Sequence, residues 1–176
     1  ENMGGNDIIK TPNLDKMAEE GVYFTRCVSN NPICVPYRAI LMTGQFSQHN
    51  GIPWNASTCE QTKKAGLQPT KPLWGKELNK AGYAMGYVGK WHLYPGASKE
   101  RRIPEGYRYG FTDYWRISRN YQDRLNTFYL DDDGNKQNIE GYAPHGQMTQ
   151  VLEFVEKNKE GPFCCVLSYH PPHPTY

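Results

Sequence analysis

The 176-residue chain, 38% apolar, is long enough to bury a core. Its 20 basic and 18 acidic residues leave a net charge of +2, and no run of five basic residues occurs, which argues against nucleic acid as a partner. No stretch approaches the roughly eighteen consecutive apolar residues of a membrane-spanning helix.

In chain order, Thr11-Pro12 reads as a helix start, with the hydroxyl as N-cap and proline at the first helical position. Leu14, Met17 and Ala18 would form its apolar face, and Gly21 its end. A strand is predicted over Val22 to Val28, then a polar turn, then a short helix from Pro36 that Gly44 stops. Helical spacing over Pro72 to Lys80 precedes a short strand, Tyr83 to Val88. A helix from Gly146 to Asn158, with Met148, Val151, Leu152 and Val155 on one face, leads to a strand over Phe163 to Tyr169. Alternating elements of this kind predict an α/β fold, a parallel sheet covered by helices with right-handed crossovers.

The tract 93–137 differs, being rich in Tyr, Trp, Arg and Asp. Asp133-Gly134 predicts a hairpin turn between Thr127-Phe128-Tyr129-Leu130 and Lys136 to Ile139. The tract reads as an insertion lining a pocket, its aromatic and arginine side chains able to stack on sugar rings. Asp131-Asp132-Asp133 lacks the spacing of a calcium loop and reads as an exposed hairpin tip.

Five cysteines, with Cys164 and Cys165 adjacent, suit neither a disulfide framework nor a zinc site. Cys27, Cys164 and Cys165 read as buried small hydrophobes, and Cys59 sits in a polar loop. Cys34-Val35-Pro36-Tyr37-Arg38 is different. A residue at a helix N-terminus faces free N–H groups and the positive end of the dipole, which favours an anionic nucleophile. Arg38, one turn on, adds a permanent cation.

Two further segments carry chemistry. Lys90 and His92 in Gly89-Lys90-Trp91-His92 are two apart, so on extended backbone they point to one side. An ammonium can then hold an anion while an imidazole moves a proton. His173, in His170-Pro171-Pro172-His173-Pro174, is the third candidate, with His170 read as structural. Cys34, Lys90, His92 and His173 each follow a predicted strand closely, which would place all four beyond the carboxyl ends of one sheet.

Cys34-Val35-Pro36-Tyr37-Arg38 followed by Thr43-Gly44, then GKWH, then Pro172-His173-Pro174, resembles in content and order the active-site motifs of the type I sulfatases, of the alkaline phosphatase-like superfamily. The resemblance implies that Cys34 is oxidised to formylglycine by a maturation enzyme and that its hydrate attacks sulfur. A second hydroxyl then expels sulfate by elimination, which serine could not do. It further implies a sulfate-binding Lys90, a proton-accepting His92, a His173 that protonates the leaving oxygen, and a Ca²⁺ ion to which, within this stretch, only residue 34 contributes. The substrate class implied is a sulfated small molecule or glycan, and the compartment periplasmic, secreted or lysosomal. The family's first strand with its acidic pair, its later acidic segment and a second lysine have no counterpart here. Residues 1–176 thus read as an incomplete N-terminal-half fragment of a sulfatase catalytic domain, inactive alone. A phosphonate or phosphate monoester hydrolase using the same residue, and a non-catalytic carbohydrate-binding fragment, remain the other readings.

Overall fold

The computed structural model describes residues 8–55, 66–94, 102–118 and 123–173, and Cys59 and Pro174 lie outside them. The chain forms two units, residues 1–30 and 31–176.

The first unit contains one helix, α1 (Pro12–Glu20). Proline at its first position fits, but Thr11 caps no backbone N–H; its hydroxyl donates instead to Asp15 Oδ1 at 2.8 Å. The strand predicted over Val22 to Val28 does not form. A strand is stabilised by ladder partners, and no described residue pairs with this segment. Val22, Phe24 and Val28 are exposed, as are Leu14 and Met17 of the expected helix face. Cys27, expected to be buried, is exposed as well.

The second unit is built on a five-stranded sheet in the order β4-β3-β2-β1-β5. The strands are β1 (Ala84–Lys90), β2 (Tyr114–Ser118), β3 (Leu125–Leu130), β4 (Lys136–Tyr142) and β5 (Phe163–Ser168). β1 pairs in parallel with β2 on one side and β5 on the other, while β2-β3 and β3-β4 are antiparallel. The helices are α2 (Cys34–Thr43), the four-residue α3 (Ser47–Asn50), α4 (Trp74–Lys80) and α5 (Ala143–Asn158). Gly44 ends α2 in the left-handed conformation, its N–H on the Ile40 carbonyl, as a C-cap glycine should.

The tract 93–137 therefore supplies β2, β3 and the first residues of β4 to this sheet. β2 has no sequence expectation behind it. Five residues, Tyr-Trp-Arg-Ile-Ser, give too short a run to read, yet Trp115 and Ile117 bury alternately as strand periodicity requires. Several aromatic residues expected to face a sugar are core instead. Tyr109, Phe111 and Trp115 are fully buried and pack with Tyr87 and Trp91, the Tyr87–Trp91 and Trp91–Trp115 rings edge to face at 4.8 Å.

α5 also docks on a different face from the one expected. Ala143, Gln147, Gln150 and Phe154 are its buried residues, and Leu152 is 60% exposed. The side-chain-free surface at Gly86 decides this. A Cβ there would lie 3.0 Å from the Phe154 ring, which fills the space and packs against Tyr114 and Phe163. One fully buried aromatic outweighs the exposed Met148 and Leu152.

The carboxyl ends of β1 and β5 approach unusually closely. Gly89 has φ +101°, and a Cβ on it would fall 2.1 Å from the Ser168 carbonyl oxygen. Only glycine permits that approach, which brings the strand ends carrying Lys90 and Ser168 together.

Candidate active site

Cys34 is the first residue of α2 and is half-buried. Its peptide neighbour Val35 donates its N–H to Asn55 Oδ1 at 2.9 Å, so one of the free donors at the helix start is satisfied from a loop. Arg38 lies one turn along the same helix. Lys90, at the end of β1, brings its Nζ to 3.9 Å from Cys34 Sγ, although the residue is only 3% exposed.

The Arg38 guanidinium reaches across to both strand ends. Its Nη1 donates to the Lys90 carbonyl and to Ser168 Oγ, each at 2.8 Å, and lies 3.4 Å from the Tyr87 hydroxyl. Tyr87 donates to the same Lys90 carbonyl at 2.6 Å. Burial lowers the Lys90 ammonium from its ordinary value; Cys34 works against that shift and Arg38 adds to it.

His92 follows β1 with a left-handed φ of 60°. Its Nδ1 is buried without a hydrogen-bond partner. Burial pushes its pKa down to about 3, reinforced by the positive charges of Lys90, Arg38, His170 and His173. The imidazole is thus neutral across the physiological range and can accept a proton. His170 and His173 follow β5, their rings edge to face at 6.3 Å. The His173 N–H donates to the His170 carbonyl at 3.0 Å, while its own carbonyl accepts from Arg124.

Cys34, Arg38, Lys90, His92 and His173 thus gather where β1 and β5 end, as does His170, read from sequence as structural. Sequence reasoning passed over Tyr87, Ser168 and Asn55. The first two could have been found by asking which polar side chains close a parallel strand; Asn55 follows no such rule. A cavity of about 440 Å³ lined by Asn79, Tyr83, Asp113 and Lys157 opens at the opposite, amino-terminal ends of β1 and β2, remote from these residues.

A half-buried side chain at a helix N-terminus, facing an ammonium, fits formylglycine at residue 34. Among the described residues no group of three His, Cys, Asp or Glu side chains gathers to hold a metal, and the Lys90 ammonium faces Cys34.

The sulfatase family model matches residues 2–176. An N-acetylglucosamine-6-O-sulfatase of Bacteroides thetaiotaomicron is 34% identical over 96% of this chain and 27% of its own length. A ulvan-active sulfatase of Formosa agariphila is also 34% identical, over 96% and 32% respectively. A crystal structure from Bacteroides fragilis superposes with a TM-score of 0.86 at 28% identity, over 97% of this chain and 40% of the other. A protein solved in complex with its substrate D-glucosamine-2-N,6-O-disulfate superposes with a TM-score of 0.75 at 29% identity, over 96% and 31%. The chain therefore spans between 27% and 40% of the length of these relatives.

Proposed function

The chain belongs to the sulfatase family, and we propose that it carries the nucleophile side of the active site of a sulfuric ester hydrolase that removes sulfate from a sugar. The observation that carries this reading is the pairing of Cys34, at the start of α2, with the Lys90 ammonium 3.9 Å away and Arg38 one turn behind. Such a site favours an anionic nucleophile and then a sulfate group on it. As formylglycine, made from Cys34 by a maturation enzyme, residue 34 supplies a hydrated aldehyde with one hydroxyl to attack sulfur and a second to expel sulfate.

The remaining residues have separable tasks. Lys90 binds a sulfate oxygen and Arg38 stabilises negative charge at residue 34. His92 takes the proton from residue 34. Burial is the main cause of its low pKa; the neighbouring cations add to it and lose part of that effect once a sulfate anion sits between them, so His92 becomes a stronger base when substrate arrives. His173, exposed at the rim, protonates the departing sugar oxygen. Any Ca²⁺ in the holoenzyme takes its carboxylate ligands from outside the described residues.

A sugar substrate is supported by the relative that acts as an N-acetylglucosamine-6-O-sulfatase and by the structure with bound D-glucosamine-2-N,6-O-disulfate. The test is the full-length protein, co-expressed with a maturation enzyme and assayed on sulfated monosaccharides, an activated aryl sulfate and an aryl phosphonate. Sulfate release from a sugar is expected. Phosphonate hydrolysis exceeding every sulfate ester would overturn the reading.

A further inference from the structure

Arg38 is held on a single nitrogen by neutral oxygens. Nη1 donates to the Lys90 carbonyl and the Ser168 hydroxyl at 2.8 Å each, with the Tyr87 hydroxyl 3.4 Å away. Tyr87 closes the network by donating to the Lys90 carbonyl at 2.6 Å and hydrogen-bonding Ser168. Among the described residues no carboxylate pairs with Arg38, and its Nε is buried without a partner.

A long side chain with many rotamers needs fixing if its charge is to act at one point. A carboxylate would fix it and at the same time cancel its charge toward any third group. Neutral oxygens fix it without cancellation. Burial reinforces the arrangement by raising the Tyr87 pKa, which keeps the hydroxyl a neutral donor. The same carbonyl that anchors Arg38 belongs to Lys90, whose ammonium faces Cys34, so both cations share one scaffold.

We propose that Tyr87 and Ser168 are positioning residues that hold Arg38 through neutral oxygens, so that its anchoring does not cancel its charge toward the sulfate bound at residue 34, acting through Arg38. The proposal rests on the sulfatase reading above. It is tested in the matured full-length protein with two near-isosteric variants, Ser168→Asn and Ser168→Asp, using inorganic sulfate as the probe. Ser168→Asp makes the stronger hydrogen bond to Arg38 yet neutralises it, so it should bind sulfate about ten-fold more weakly than Ser168→Asn, with kcat/KM falling in parallel.

Tyr87→Phe keeps the ring packing against Trp91 and Phe111 and should lower kcat/KM by about five- to ten-fold. In an Arg38→Ala background the same change should cost nothing more. Equal sulfate affinity of Ser168→Asp and Ser168→Asn, or an equal Tyr87→Phe loss with Arg38 absent, overturns the proposal. Should neither Ser168 variant fold, the Tyr87 cycle alone decides. A wild-type protein that hydrolyses no sulfate ester and binds no sulfate refutes the sulfatase reading itself, whereas an active one with indistinguishable Ser168 variants refutes only the anchoring.

Discussion

The molecule handles its arginines in two opposite ways. Arg108 and Arg116 meet at Asp132, whose carboxylate oxygens are shared between them, and their guanidinium groups lie over Trp115 and Tyr114. Arg38 pairs with no acid among the described residues and is held by a carbonyl and two hydroxyls. The first arrangement ties the β3-β4 hairpin to β2 and the short helical turn at Glu105–Arg108, consuming the charge it uses. The second leaves the charge available beside Cys34. Compensation separates an arginine that builds the fold from the one proposed to serve a bound anion.

The largest break in that contrast should come from the nucleophile. Cys34→Ala in the matured full-length protein should cost at least about a thousand-fold in kcat, measured by sulfate release, with the folded structure intact. Next comes the uncompensated cation. Arg38→Lys keeps the charge but cannot span the Lys90 carbonyl and Ser168 hydroxyl from the same place, and kcat/KM should fall by about a hundred-fold. Arg116→Lys, where the charge only holds Asp132, should leave kcat/KM within about two-fold.

Asp132→Asn sharpens the comparison from the other side. It leaves a largely buried Arg108 without its counter-charge, and because Asp132 is partly open to solvent the stability loss should be about 1–2 kcal/mol by denaturant titration, with activity retained. The last effect is confined to acid. The folded pKa of His92, about 3, lies below its ordinary value of 6.5, so between these values the unfolded chain binds more protons. Stability should rise with pH across that window by at most about 1.4 kcal/mol per unit, then level off. His92→Gln should remove that slope, which unfolding midpoints from pH 4 to pH 7 would show.

The sequence made most of the site legible and part of the fold. Cys34, Arg38, Lys90, His92 and His173 were readable because each belongs to a local pattern with a stated chemical reason. Helices α1, α2, α4 and α5 and strands β1 and β5 were readable from apolar spacing and capping residues. β2 was not, since five residues of mixed aromatic and charged character carry too little periodicity. The buried face of α5 was not either, because it is set by the bare backbone of Gly86, 57 residues before the helix begins at Ala143. Val22 to Val28 carries strand-like composition, yet composition cannot supply the partner a strand needs. Tyr87 and Ser168 stayed hidden for a related reason. Their role arises only when β1 and β5 are paired and Gly89 lets their ends close.

The central claim is that residue 34 acts as formylglycine. Mass spectrometry of the peptide carrying residue 34, on full-length protein made with and without the maturation enzyme and matched to sulfate release from the same samples, tests it most directly. The account predicts an aldehyde in place of the thiol and activity in proportion to the converted fraction. Full activity from protein whose residue 34 is wholly unmodified cysteine would contradict it.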